Sequence, residues 1–400
     1  MQAKGLHLYK KRNLKSLPHI LFVCSWYPHQ ENITHGVFIK RHAECIALNH
    51  RVTVIFVKSS AEVIENTISI NETGNLIEII ILYPKIKNNI IFFKEYLKFK
   101  AYNNAILKAL QLAQQQHAID IVHLQVIFPA CIPTLQILKR TQLPLVITEH
   151  WTGYAPEDDS YKGFLKTHYT KKIIAKAKVV VTISSYLKKI MEQQGLQANY
   201  QIIPNSINTD VFCPHDKTVG DVIKFIHISS LDDAQKNVSG IIKSFKNAHQ
   251  KNNNMQLTIV GEGDNKSEFM QLAEKLNISK YVFFVGRLSE TELAHEINNH
   301  HALVMFSNYE TFCLAIVETL ACGKPVITTN VGGIVEYMNS KLGITVEPKN
   351  ETKLTEALLT FIANKNQYNA QTIRNFVVTH FDKNKINQQF TDLYKKVLKN

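Results

Sequence analysis

Two carboxylates bracket the most organised stretch of the chain. Residues 305–336 read MFSNYETFCLAIVETLACGKPVITTNVGGIVE. Glu310 sits in a polar bend that follows an apolar run, Leu303 to Phe306, with the character of a buried strand. Glu318 lies inside a predicted helix from Leu314 to Cys322, which Gly323 stops and Pro325 keeps from resuming. An ionised carboxylate among apolar neighbours is costly unless something pairs with it. Such a group is either structural, capped by backbone or a lysine, or completed by the hydroxyls of a ligand. Between the two acids, the helix start at Phe312-Cys313-Leu314 offers free N–H groups and the positive end of the helix dipole, suited to a phosphate. Acid, anion site and acid on one loop point to a sugar phosphate or a nucleotide sugar.

The elements that must position this loop alternate along the chain. His19 to Ser25 is a buried strand, followed by a polar loop ending at Gly36, a helix over Phe38 to Leu48 and a strand over Arg51 to Val57. Strand, loop, helix and strand make a βαβ unit, whose first loop is where a doubly wound fold holds ligand. Further strands are predicted at Asp120 to His123, Leu145 to Thr148 and Val179 to Ile183, and Ser184-Ser185 caps the next helix. Gln201 to Asn205, then Asp210, Phe212 and Pro214, punctuates the chain as a domain boundary. The alternation restarts with strands at Ile223 to Ser230, Leu257 to Val260 and Tyr281 to Val285, and ends in helices over Glu351 to Ala363 and Gln371 to Lys399. The fold class is α/β.

Glu310 and Glu318, with seven residues between them and leading into Ala321-Cys322-Gly323-Lys324-Pro325-Val326-Ile327 and Gly332-Gly333-Ile334-Val335-Glu336, resemble the E-x7-E signature of the retaining glycosyltransferases of family GT4. The resemblance runs from about Ile20 to the last helix and is weakest over 58–118. It implies the GT-B fold, two Rossmann-like doubly wound domains facing a central cleft. The implied division is a basic lead-in over 1–17, an acceptor domain over 18–205, a donor domain over 206–379, and a helix over 380–400 that crosses back.

The resemblance also assigns roles. Glu310 would hold donor sugar hydroxyls beside the anomeric carbon, and Glu318 the ribose hydroxyls. Lys236, Gly36 and the helix start at Phe312, Cys313 and Leu314 would bind the diphosphate. His150, after a strand at the sheet edge, would reach the donor sugar or the reacting centre, with His123 behind it. Arg287, after Gly286, would lie beside the nucleotide base. Ser229-Ser230 stand where the family carries Gly-Arg, a departure that removes the expected second basic phosphate ligand. The co-substrate would be a UDP- or GDP-sugar, with no cofactor and no metal, since no DxD-type carboxylate pair occurs. A sugar-nucleotide-binding protein without turnover, or an epimerase on the same fold, are the alternatives.

Composition narrows the remaining classes. The 400 residues carry a net charge of +13, with 45% hydrophobic and 20% charged residues. That describes a globular chain with a preference for acidic partners. No apolar run reaches the roughly 18 residues a membrane-spanning helix needs. No zinc-finger or RNP-type pattern supports nucleic-acid binding. The six cysteines are scattered without a C-x-x-C pair, as in a reducing, cytoplasmic setting. His295, His300 and His301 are expected at the surface. Residues 90–112 interleave Phe92, Phe93, Tyr96 and Phe99 with lysines, either a helix on an anionic membrane face or one packed on the core. The expected acceptor is a glycan or a lipid-linked acceptor at the inner face of the membrane.

Overall fold

The computed structural model describes residues 17–86, 91–215 and 220–399, apart from the side chains of 91 and 92. The basic lead-in lies outside these residues except for Leu17, and so does the side chain of Phe92.

The first domain comprises β1 (His19–Cys24), α1 (Val37–Ala47), β2 (Arg51–Ser60), β3 (Thr67–Thr73), β4 (Leu76–Pro84), α2 (Ile91–Gln116), β5 (Ile121–Gln125), α3 (Cys131–Thr141), β6 (Leu145–Glu149), α4 (Phe164–Ile174), β7 (Ala177–Thr182), α5 (Ser185–Gln193) and β8 (Tyr200–Ile202). Its eight strands are ordered β3-β4-β2-β1-β5-β6-β7-β8, all parallel except the antiparallel edge strand β3. β1, HILFVC, is buried at every position. A strand covered on both faces by helices has no polar side to show, so its sequence is an apolar run rather than an alternation.

The second domain holds β9 (Ile223–Ile228), α6 (Asp233–Lys236), α7 (Val238–His249), β10 (Met255–Val260), α8 (Lys266–Lys275), β11 (Val282–Gly286), α9 (Glu290–Asn298), β12 (Ala302–Met305), α10 (Leu314–Ala321), β13 (Val326–Thr329), β14 (Gly343–Val346), α11 (Glu351–Asn364) and α12 (Ala370–Phe381), and the described chain ends in α13 (Lys383–Lys399). Its six strands, ordered β11-β10-β9-β12-β13-β14, are all parallel. Parallel strands present their C-terminal ends at one rim, and the loops there carry the site residues in both domains.

The expected helix over Gln371 to Lys399 is two helices. Asp382 breaks it, with ψ 143°: its backbone pairs with Ile207, Oδ2 accepts from Thr209 Oγ1 at 2.5 Å, and Oδ1 accepts from Asn384 N at the start of α13. α12 packs on α10, whereas α13 returns to the first domain beside α1. There Ile386, Phe390, Leu393, Tyr394 and Val397 are buried with Ile20, Phe22 and Val54. Burying five such side chains contributes on the order of 10 kcal/mol before chain entropy is counted.

His300 is not a surface residue. It is 3% exposed, with Nε2 2.8 Å from Thr258 Oγ1 and Nδ1 2.7 Å from the Glu296 carbonyl. His301 is half-buried, its Nδ1 accepting from Lys224 N, and His295 is exposed. The aromatic start of α2 does not pack on the core either. The core face of α2 is Ala105, Ile106, Ala109, Leu110 and Ala113, while Phe93, Tyr96 and Phe99 are exposed. Among the described residues, no helix is long and apolar enough to cross a membrane.

Candidate functional site

Glu310 follows β12 in the loop of residues 306–313, and two sets of contacts fix it. Ser307 Oγ donates to Glu310 Oε1 at 3.0 Å, and Lys236 Nζ forms an ion pair with the same oxygen. Lys236 reaches it because the two loops are laced together: Asn308 N donates to the Gln235 carbonyl at 2.8 Å, and Asn308 Nδ2 to the Ala234 carbonyl at 2.9 Å. Lys236 ends the short helix α6, and Asn237, left-handed at φ 49°, turns the chain directly into α7. Burial works against the ammonium, but the Glu310 carboxylate and the Cys313 side chain beside it outweigh that and raise the Lys236 pKa. Lys236 is therefore charged at neutral pH.

Glu318 lies one turn into α10 and is 5% exposed. Its partner comes from the other domain: Arg41 Nη2 donates to Glu318 Oε1 at 2.6 Å, and Arg41 Nε donates to Glu290 Oε1 at 2.8 Å. The guanidinium is itself 5% exposed, and its Nη1 has no hydrogen-bond partner among the described residues. The sequence reading offered backbone, a lysine or ligand hydroxyls as partners of these carboxylates, and missed Arg41. The available signal was an arginine on the helix that opens from the Gly36 loop.

The start of α10 is open. Cys313 is the N-cap residue, left-handed at φ 67°, and no side chain caps the helix. Phe312 is buried, whereas Cys313 and Leu314 are half-buried. Thr311 ties this point to the first domain: its Oγ1 donates to the His150 carbonyl at 3.2 Å, and its carbonyl accepts from Ser184 Oγ at 3.1 Å. The same carbonyl accepts from Gly333 N. A Cβ on Gly333 would stand 2.1 Å from Ser184 Cβ, so this approach between domains needs glycine.

His150 follows β6, at the rim of the first sheet. The preceding Glu149 fixes the loop. It accepts from the backbone N–H of Ile127, His150 and Trp151 and from Tyr154 Oη, at 2.8–3.1 Å. The His150 ring is 4.4 Å from Phe38 and 5.5 Å from His42, centroid to centroid, and among the described residues neither ring nitrogen has a hydrogen bond. Burial, then His42 and His123, holds its pKa well below the usual value, so the ring is neutral. His123 lies deeper, between Thr148 Oγ1 and Tyr394 Oη at 2.7 Å each.

Gly36 is the N-cap of α1 at φ 69°, and a Cβ there would lie 2.9 Å from the Trp26 carbonyl carbon. Arg287 is exposed just past β11, the edge strand of the second sheet, and Glu290, three residues on, meets Arg41. Ser229 and Ser230 fold over the glycine turn after β10: a Cβ on Gly261 would meet the Ser229 carbonyl oxygen at 1.8 Å. They supply close backbone packing there, and no charge.

A cavity of about 730 Å³ opens between α5 and the loops of the second domain, lined by Tyr186, Lys188, Lys189, Tyr309, Asn330 and Glu336 among others. Among the described residues, no group of three His, Cys, Asp or Glu side chains is placed to hold a metal ion. All six cysteines are free thiols.

The family model for glycosyl transferases group 1 matches residues 217–375, and the model for glycosyltransferase family 4 matches residues 37–211. N-acetyl-alpha-D-glucosaminyl L-malate synthase of Bacillus anthracis is 24% identical over 336 residues, 80% of this chain and 86% of that protein. Among solved structures, sucrose-phosphate synthase from Thermosynechococcus elongatus aligns with a TM-score of 0.76 at 16% identity, over 95% of this chain and 99% of that one. HepE of Anabaena, in complex with UDP and glucose, aligns with a TM-score of 0.73 at 17% identity, over the same shares. These structures share the GT-B fold with this chain. With one family model on each domain and the E-x7-E pair on the second, the chain belongs to the group 1, GT4-type glycosyltransferases.

Proposed function

We propose that the protein is a retaining, metal-independent glycosyltransferase that moves a sugar from a UDP- or GDP-sugar to a hydroxyl of a glycan or lipid-linked acceptor in cell-envelope polysaccharide synthesis. The observation that carries this reading is the open start of α10, flanked by Glu310 with its Lys236 partner and by Glu318. Glycosyl transfer develops an oxocarbenium-like sugar while negative charge grows on the departing diphosphate. The N–H groups at Cys313 and Leu314, Lys236, and the start of α1 at Gly36 stabilise that charge. Glu310 holds donor sugar hydroxyls, Glu318 holds the ribose, and neutral His150 offers an unpaired ring nitrogen to the sugar. With serine at position 230, Arg41 is the buried cation nearest to the Glu318 end of the helix. The solved complex of HepE with UDP and glucose supports a nucleotide-sugar donor.

Contact with an anionic membrane at the cytoplasmic face is supported by the first domain. Phe93, Tyr96 and Phe99 at the start of α2, and Phe164 and Leu165 at the start of α4, are exposed beside lysines. Both helices begin at the C-terminal rim of the sheet, the side that faces the cleft.

The test is incubation of the purified protein with UDP-glucose, UDP-N-acetylglucosamine and GDP-mannose, with and without envelope lipid extract. The readouts are nucleotide release and the anomeric configuration of the product. Acceptor-dependent release with the donor's configuration kept is the expected result. Acceptor-free isomerisation, or binding with no turnover, would replace this reading with an epimerase or a binding protein.

A further inference from the structure

A row of rings runs along the rim of the first sheet, away from the donor loops. From His150 it passes to Phe38 at 4.4 Å, to Trp26 at 6.2 Å, to His35 at 6.1 Å and to His29 at 5.5 Å, measured between centroids. Trp26, Phe38 and His35 are half-buried, so each keeps part of its ring open at the rim. The row ends at Lys58, near the end of β2, whose Nζ lies 2.9 Å from His29 Nε2.

The chemistry at that end is cationic. His29 Nδ1 is 3.0 Å from the Tyr27 carbonyl oxygen, so it must be the N–H donor. Nε2 is then the lone pair that accepts from Lys58, and the charge stays on the lysine. The His35 pKa is lowered to about 4 by burial, then by His29 and Lys58, so this ring adds no charge of its own. Among the described residues, no carboxylate lies within ion-pair distance of Lys58. The nearby Glu31 is engaged by Ser60 Oγ. A half-buried ammonium whose partner is a neutral imidazole has two remaining N–H donors and, among the described residues, no ion-pair partner.

Distance sets the size of the ligand. β2 lies three places from β6 in the sheet, and neighbouring strands are about 4.8 Å apart, so Lys58 is roughly 14 Å from His150. That exceeds one sugar ring and suits two. Aromatic rings in a row offer apolar faces to the C–H faces of sugars.

We propose that this row is the acceptor track, and that the acceptor carries a phosphate or carboxylate, held by Lys58, about a disaccharide away from the hydroxyl that receives the sugar. The proposal rests on the glycosyl-transfer reading and adds the chemical class of its acceptor.

Trp26 and Trp151 are the two tryptophans of the chain, so fluorotryptophan labelling reports on the track directly. With the donor site saturated with UDP or GDP, whichever binds, the 19F resonance of Trp26, assigned with Trp151→Phe, is followed against maltose 1-phosphate, a hyaluronan disaccharide and maltose. The phosphate and the uronate compounds separate the two anion sources. The expected result is a Trp26 shift with at least one anionic disaccharide at tenfold or more lower concentration than with maltose, and loss of that advantage in Lys58→Met. UDP affinity, measured separately by calorimetry, should stay within twofold in Lys58→Met. Equal response to charged and neutral sugars, no response to any of the three, or an unchanged response in Lys58→Met overturns the proposal. Absence of binding of both UDP and GDP in the wild-type protein would instead count against the transferase reading itself.

Discussion

Arg41 of the first domain donates to Glu318 of the second at 2.6 Å, so the carboxylate assigned to the ribose is already held from across the cleft. With Glu290 as a second partner, one buried guanidinium links α1 to both α9 and α10. A donor that uses Glu318 must share it with Arg41 or take its place, which couples donor binding to the contact between the domains.

Breaking that pair from one side leaves a buried charge alone. Arg41→Met is expected to lower stability by about 3 kcal/mol, the order seen when one partner of a buried ion pair is removed. Arg41→Met combined with Glu318→Gln should be less destabilised than the sum of the two single variants. Denaturant melts of the four proteins measure the coupling. Strict additivity would show that the pair does not act as a unit.

Glu310 has a structural tie as well as a chemical role, because it neutralises Lys236. Glu310→Gln keeps the shape and the Ser307 contact, and is expected to lower kcat by about a hundredfold or more, the scale of losing one electrostatic partner of a transition state. It should also lower the melting temperature, since Lys236 would remain buried without its anion. A Glu310→Gln protein that transfers sugar at the wild-type rate would remove Glu310 from the chemistry.

Buried neutral histidines set the acid limit of stability. Burial lowers His42 and His227 to about 4 from 6.5. In the unfolded chain these groups take up protons at higher pH than in the folded protein. Their contribution is complete above about pH 6.5 and is lost as pH falls toward about 4, up to about 3 kcal/mol for each. The melting temperature should therefore drop from about pH 7 to about pH 5, and less steeply in His42→Gln. Parallel pH profiles for the two proteins would rule out His42 as a contributor.

Gly36 combines a left-handed φ of 69° with a 2.9 Å approach to the Trp26 carbonyl carbon. An alanine there bears a left-handed cost of about 1–2 kcal/mol and must also push Trp26 aside. Gly36→Ala is expected to weaken UDP binding as well as stability, because the start of α1 moves with the loop. Calorimetry with UDP checks this; unchanged affinity would detach Gly36 from the donor site.

The stretch from Leu303 to Glu336 was readable because its strand, bend, helix and second strand are contiguous and each is coded locally. Both glutamates, Lys236 and the open start of α10 then came together in space. The partner of Glu318 was not readable: Arg41 lies 277 residues away, and its own helix shows only an ordinary amphipathic pattern. His300 looked superficial because it adjoins polar Asn298, Asn299 and His301, yet Thr258, 42 residues earlier, supplies the buried hydroxyl that receives it. The break at Asp382 escaped for the same reason, since its partner Thr209 is 173 residues away. Long-range polar pairing leaves no periodic trace.

The return of α13 to the first domain has a consequence during synthesis. The helix supplies Ile386, Phe390, Leu393, Tyr394 and Val397 to the face that also holds β1 and α1. Those residues leave the ribosome roughly 180 residues after β8, the last strand of that sheet, which at about 5–20 residues per second means a wait on the order of ten to forty seconds. Through that interval the nascent first domain displays an apolar flank around Phe22 and Val54 that its own sequence cannot cover, and so offers a binding place for chaperones until α13 has been made.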